Sequence, residues 1–173
     1  MTVHAHPEHL LFFFDEGRFG LQSTLIRIWA KRCIPLAQRV QQGYQNFYLY
    51  SCVSPFSGES FTLFLPEVNT DMMNIFLEEF AKEYPDRKIH IVMDQAGWHK
   101  AKELAHPDNI IPIYLPPYSP ELNPIERLWQ WLRKEVTHNM LFETLEEMMD
   151  ALEQEFRNLT PERLSQLCHC SYL

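Results

Sequence analysis

The chain has 173 residues, of which 46% are hydrophobic, enough to fill one core without disulfide staples. Four cysteines, Cys33, Cys52, Cys168 and Cys170, are too few and too irregularly spaced for a disulfide framework or a paired structural zinc site, so reduced thiols and a cytoplasmic setting are expected. A formal charge of −8 runs against a broad basic face for nucleic acid, and no apolar run reaches the roughly 18–20 residues of a membrane span.

Residues 1–9 show no periodicity and are expected to form a flexible tail, with one domain over 10–173. Leu10 to Phe14 is an apolar run that ends at Asp15-Glu16-Gly17, as a buried strand ends at a turn. Two further strands, 44–53 and 59–65, flank the hairpin-like Ser54-Pro55-Phe56-Ser57-Gly58. A helix then opens with Thr70 as N-cap. It carries Met72, Met73, Phe76, Leu77 and Phe80 on one face and stops at Pro85.

Lys88 to Met93 reads as a strand ending at Asp94, Trp98 to Ala105 as a short helix, and Asn109 to Leu115 as a strand closed by two prolines. Ile125, Leu128, Trp129, Leu132 and Val136 predict one amphipathic helix over 124–137, opened by Asn123 and Pro124. Thr144 and Glu147 form a capping box for a helix over 144–157, and Pro161 opens a last short one. The order predicts an α/β fold: a mixed five-stranded sheet, three antiparallel strands then two parallel, with helices on both faces.

Two strands thus end in aspartate, Asp15 and Asp94, and open α/β sheets commonly bind ligands outside their strand ends. Glu126, about 60° round the helix from Trp129, would lean over the same place from the edge of the apolar stripe. Three carboxylates on rigid elements suit hard divalent cations such as magnesium or manganese. Spacing alone leaves a plainer reading open, in which the aspartates are turn residues and Glu126 caps its own helix with Asn123.

The string Leu115-Pro-Pro-Tyr-Ser-Pro-Glu-Leu-Asn-Pro-Ile-Glu126-Arg-Leu-Trp129 closely resembles the third catalytic motif of DDE transposases of the mariner superfamily, especially the bacterial insertion sequence 630 family. Asp15-Glu16 resembles the first motif and Ile91-Val-Met-Asp94-Gln-Ala-Gly-Trp-His99 the second. The resemblance implies a ribonuclease H-like fold and a metal-binding catalytic triad of Asp15, Asp94 and Glu126 holding two Mg2+ or Mn2+ ions. It also implies cleavage of DNA at terminal inverted repeats and strand transfer into target DNA, carried out by a homodimer in a synaptic complex.

Glu126 lies 32 positions after Asp94, a little closer than in typical members. Family members carry a helix-turn-helix region before the first aspartate, whereas 14 residues precede Asp15, so a separate or upstream DNA-binding half is expected. His99, Lys100, Lys102, Arg127, Arg133 and Lys134 are candidates to meet phosphates, and Trp98, Trp129 and Trp131 to stack on a splayed base. Solvated helix faces and core anchoring are the plainer readings of these residues. Tyr118, Ser119 and Asn123 are expected to shape the loop before Glu126. Two other functions are carried beside transposition: a stand-alone ribonuclease H-like nuclease, and an inactive truncated transposase that dimerises with an active one.

Overall fold

The computed structural model describes residues 9–21, 45–138 and 140–170, so residues 1–8 of the tail expected over 1–9, and Cys33, lie outside the described residues, while His9 is the first residue of the first strand. Its centre is a five-stranded sheet: β1 (His9–Gly20), β2 (Asn46–Val53), β3 (Ser60–Leu65), β4 (Lys88–Met93) and β5 (Ile110–Tyr114), in the order β3-β2-β1-β4-β5. β1 and β2 pair antiparallel, as do β2 and β3, while β4 runs parallel to both β1 and β5. Pro112 is tolerated because β5 is an edge strand.

Alternation along β1 and β2 sends side chains to two cores. Phe12, Phe14, Tyr50 and Cys52 pack with Met73, Phe76, Leu77 and Phe80 of α1 (Thr70–Glu83). On the opposite face Phe19, Phe47, Leu49 and Val53 meet α2 (Ile125–Leu132), α3 (Leu145–Asn158) and α4 (Pro161–Leu167). Each buried phenylalanine contributes roughly 1.5–3 kcal/mol by leaving water, and with the smaller cluster of Leu11, Phe13, Val92 and Cys170 these contacts fix which way the β1 residues point. No helix among the described residues is long and apolar enough to cross a membrane.

Several elements depart from the sequence expectation for visible reasons. β1 continues six residues past Phe14, because Asp15 to Gly20 pair with Ser51 to Asn46 of β2; Asp15 is a mid-strand residue. Asn69 rather than Thr70 caps α1, its Oδ1 accepting from Met72 N at 2.9 Å. The helix expected over 98–105 is a single 3-10 turn, Gly97–His99. Beyond that turn the backbone bonds outward: Asn74 Nδ2 donates to Glu103 O at 3.2 Å, and Ala105 N donates to Asn74 Oδ1 at 2.8 Å. The 124–137 helix is α-helical only to Leu132 and widens into a π turn over Arg133–Thr137. There the Arg133 carbonyl accepts from both Thr137 Oγ1, at 3.1 Å, and His138 N, at 2.8 Å. Thr144 does cap α3, accepting from Glu147 N at 3.2 Å, while Glu147 reaches back to Glu143 N at 2.8 Å.

Gly17 is needed for packing. A Cβ there would stand 2.9–3.0 Å from three ring atoms of Trp129, which lies flat against the strand. Gly17→Ala is therefore expected to cost about 1–3 kcal/mol through overpacking, reduced slightly by the stiffer unfolded chain. Urea unfolding measures this, and an unchanged midpoint would contradict it.

Candidate active site

Asp15 and Asp94 come together through the ladder between β1 and β4. Phe13 pairs with Val92 in the last parallel step, so continuing that register sets Asp15 level with Asp94, just where β4 has ended. β1 runs on alone with β2, which leaves Asp15 open on the β4 side. Asn123, buried before α2, donates through Nδ2 to Phe14 O at 2.9 Å and accepts weakly from Ile125 N at 3.4 Å. This amide moors the start of α2 to the strand beside Asp15, and thereby positions Glu126 in its first turn. Pro124 occupies the N-cap position without a side-chain bond, so among the described residues the only part of the capping arrangement seen is the weak Asn123 bond to Ile125 N, and the Glu126 carboxylate accepts from no backbone N–H.

The three carboxylates line one cavity of about 450 Å3, together with Gln95, Ala96, Asn123 and the loop Leu115 to Pro120. Tyr118 and Ser119 are in that wall. Tyr118 has a fully exposed ring and a left-handed backbone, φ 57°. That conformation costs a side-chain-bearing residue about 1–2 kcal/mol, partly offset by the entropy glycine loses on folding. Tyr118→Gly is expected to stabilise the protein by up to about 1 kcal/mol in thermal unfolding; a loss of stability would show that the ring packs in solution.

Electrostatics mark the cavity as anionic. Asp15 is half-buried, and its pKa is pushed up to about 7: burial raises it, the Trp129 hydrogen bond opposes, and the charges of Glu16 and Glu126 raise it further. Trp129 Nε1 donates to Asp15 Oδ2 at 2.9 Å. On the Asp94 side, His99 Nδ1 stands 2.8 Å from Asp94 Oδ1, and His99 Nε2 stands 2.9 Å from Glu16 Oε1. Burial presses the His99 pKa down, but the hydrogen bond and charge of Glu16, with Asp94, outweigh it and the net shift is upward.

The expected phosphate contacts are not gathered here. His99 is 1% exposed and occupied on both ring nitrogens, which fits the plainer reading of a satisfied buried residue. Lys100 is near the rim, donating to Gln95 Oε1 and lying 5.3 Å from the Tyr114 ring centroid. Lys102 is exposed. Arg127 donates to the His169 carbonyl, Arg133 lies over Phe19 at 5.4 Å, and Lys134 pairs with Glu135 at 3.3 Å. None of these cations lines the cavity. Trp129 is a core residue, Trp131 is half-buried and packs against that core, and half-buried Trp98 donates through Nε1 to Glu16 Oε1 at 3.0 Å.

A cavity lined by three carboxylates and by no lysine or arginine among the described residues suits a hard cation. Among those residues, no three His, Cys, Asp or Glu side chains are already drawn to one point. Magnesium keeps several of its waters and tolerates carboxylates standing around it.

Residues 10–149 match the model of a family described as DDE superfamily endonuclease. The chain belongs to this family. The DDE endonuclease domain is 37% identical over 103 residues to the uncharacterised protein y4pE/y4sA of Sinorhizobium fredii, 59% of this chain and 76% of that protein. It superposes on the Mos1 strand transfer complex with a TM-score of 0.71 at 17% identity, over 94% of this chain and 51% of that chain. On the Mos1 mariner paired end complex with Mn the TM-score is 0.73 at 15% identity, over 92% of this chain and 51% of that one. The simian T-cell lymphotropic virus intasome gives 0.53 at 15% identity, over 95% of this chain and 55% of its own. These likenesses identify a ribonuclease H-like fold, and the DDE domain spans about half the length of the solved chains it matches.

Sequence reading had no part for Glu16 or for the Trp129 indole N–H. The period of two along β1 is the signal for the first, since it sends Glu16 through to the face opposite Asp15. The second joins residues 114 apart in the chain and has no local signal.

Proposed function

We propose that this domain is the catalytic core of a DNA transposase, cutting phosphodiester bonds at transposon ends and joining them to target DNA. One observation carries the reading: Asp15, Asp94 and Glu126 of a DDE-family chain line a single anionic cavity. Those three residues would hold two Mg2+ or Mn2+ ions, which supply Lewis acidity for an attacking and a leaving oxygen. The protein's own part is positional. Trp129 fixes Asp15, the His99 ring fixes Asp94, and Asn123 moors the helix that carries Glu126. The motif string through Glu126 supports a place in the insertion sequence 630 branch.

The cavity offers carboxylates to metal and, among the described residues, no lysine or arginine to DNA, so we assign grip on the duplex to other surfaces. We propose that terminal-repeat recognition lies in a helix-turn-helix region outside these residues, and that the active species is a homodimer holding two ends. The Mos1 structures include paired-end complexes, in chains about twice as long. The test incubates the domain, alone and with a DNA-binding partner, with duplexes carrying candidate terminal repeats and Mn2+. Metal-dependent nicking lost in Asp94→Asn is the expected result. Cleavage of RNA–DNA hybrids in preference to repeat ends would assign a ribonuclease instead, and no metal-dependent cleavage of any duplex would overturn the reading.

A further inference from the structure

Glu16 follows Asp15 on β1 and points through the sheet to the α1 side, where its side chain is 7% exposed. A carboxylate that deep needs partners, and it has two: Oε1 accepts from Trp98 Nε1 at 3.0 Å and meets His99 Nε2 at 2.9 Å. His99 is clamped in turn, its ring edge-on to Phe14 at 5.6 Å, its Nδ1 hydrogen-bonded to the Asp94 backbone carbonyl at 3.3 Å and in ion-pair contact with Asp94 Oδ1 at 2.8 Å. Ala96 N donates to the same Asp94 oxygen at 3.0 Å. Asp94 Oδ1 therefore accepts from Ala96 N and lies in ion-pair contact with His99, while Oδ2 receives no protein donor among the described residues.

Asp15 is held in a matching way from the other face of the sheet, its Oδ2 taken by the Trp129 indole. The two pinned aspartates differ in how firmly they stand. Asp15 belongs to a paired strand, whereas Asp94 follows the end of β4 and its side chain is 59% exposed. Asp94 is the carboxylate that needs a tether, and among the described residues its link into the core runs through His99 to Glu16.

We propose that Glu16 is a positioning residue that acts through His99 to hold the Asp94 carboxylate with Oδ2 toward the cavity. This rests on the reading of Asp94 as a metal ligand. Outer partners of this kind raise metal affinity by removing wrong orientations before the ion arrives. Adjacent residues of one strand thus divide the work: Asp15 faces the cavity, and Glu16 steadies the opposite acid from behind.

The test compares Glu16→Ala with Glu16→Gln. Both remove the same charge, but only the amide keeps an oxygen for Trp98 and an edge that pairs with His99 in either tautomer. In the metal-free protein, exchange of the Ala96 amide proton reports whether Asp94 Oδ1 stays in place. It should speed up about tenfold in Glu16→Ala and stay within about twofold of wild type in Glu16→Gln. Calorimetric Mn2+ affinity should fall about 10–100-fold in the alanine variant and largely recover in the glutamine one.

Equal behaviour of the two variants in both measurements overturns the proposal. If Glu16→Ala does not fold, His99→Phe replaces it, keeping a ring against Phe14 while deleting both nitrogens; unchanged Ala96 exchange there overturns the proposal equally. Wild-type protein that binds no Mn2+ would sink the metal reading of the site, and the Ala96 exchange, which uses no metal, would still decide the role of Glu16.

Discussion

Asp94→Asn is expected to lower Mn2+-dependent nicking of duplex DNA at least about a thousandfold, equivalent to roughly 4 kcal/mol of transition-state stabilisation. Asp94 is the acid best suited to this test. Its side chain is 59% exposed, its backbone is set by the end of β4, and asparagine keeps an oxygen that accepts from Ala96 N. The substitution removes the charge, and with it the ion pair to His99, while keeping the shape of the side chain. The midpoint of thermal unfolding should accordingly stay within about 2 °C of wild type, as for other exposed positions. The same change at Asp15 would mix catalysis with stability, because that carboxylate is half-buried against Trp129. Measured side by side, nicking and melting separate the two: a variant that melts normally and still nicks at a tenth of the wild-type rate would remove Asp94 from the chemistry.

What the sequence made readable was whatever depends on neighbours in the chain. The stripe Met73, Phe76, Leu77 and Phe80 marked α1, the Thr144–Glu147 spacing marked the start of α3, and the mixed sheet followed from the order of elements. The three acids were found from strand ends, helix phase and family resemblance, and the cavity unites all three. The misreadings are of another kind. Gly17 looked like a turn that stops β1, yet glycine is there because the Trp129 ring lies on the strand, a contact made across more than a hundred residues. His99 looked available to substrate because nothing local shows that Phe14 and Glu16 bury it. The basic residues were placed near the site by sequence adjacency, but helical geometry turned Arg127 toward His169 and Arg133 toward Phe19.

The second large effect concerns Asp15 and stability. Its pKa rises from 3.8 to about 7 in the folded protein, chiefly because burial disfavours the charge, with Glu16 and Glu126 adding repulsion against the help of Trp129. Between those two values the folded chain holds a proton that the unfolded chain has released. Stability must therefore fall as pH rises through this window, and the whole penalty is present above about 7. At about 1.4 kcal/mol per pH unit the penalty is at most about 4 kcal/mol. Asp15→Asn removes the charge while leaving an oxygen for the Trp129 indole. The variant should match wild type near pH 4 and become more stable than it by up to about 4 kcal/mol at pH 8, in metal-free protein. Mn2+ should then close the gap from the wild-type side, since a dication neutralises the same repulsion and binds only the folded cavity. Urea unfolding at the two pH values, with and without Mn2+, measures all four corners. A variant less stable than wild type at pH 8 would mean that Asp15 is held charged by a partner the cavity geometry does not show. If instead the gap opens with pH and Mn2+ closes it, the strain is stored at the first acid of the triad, and a cation is what relieves it.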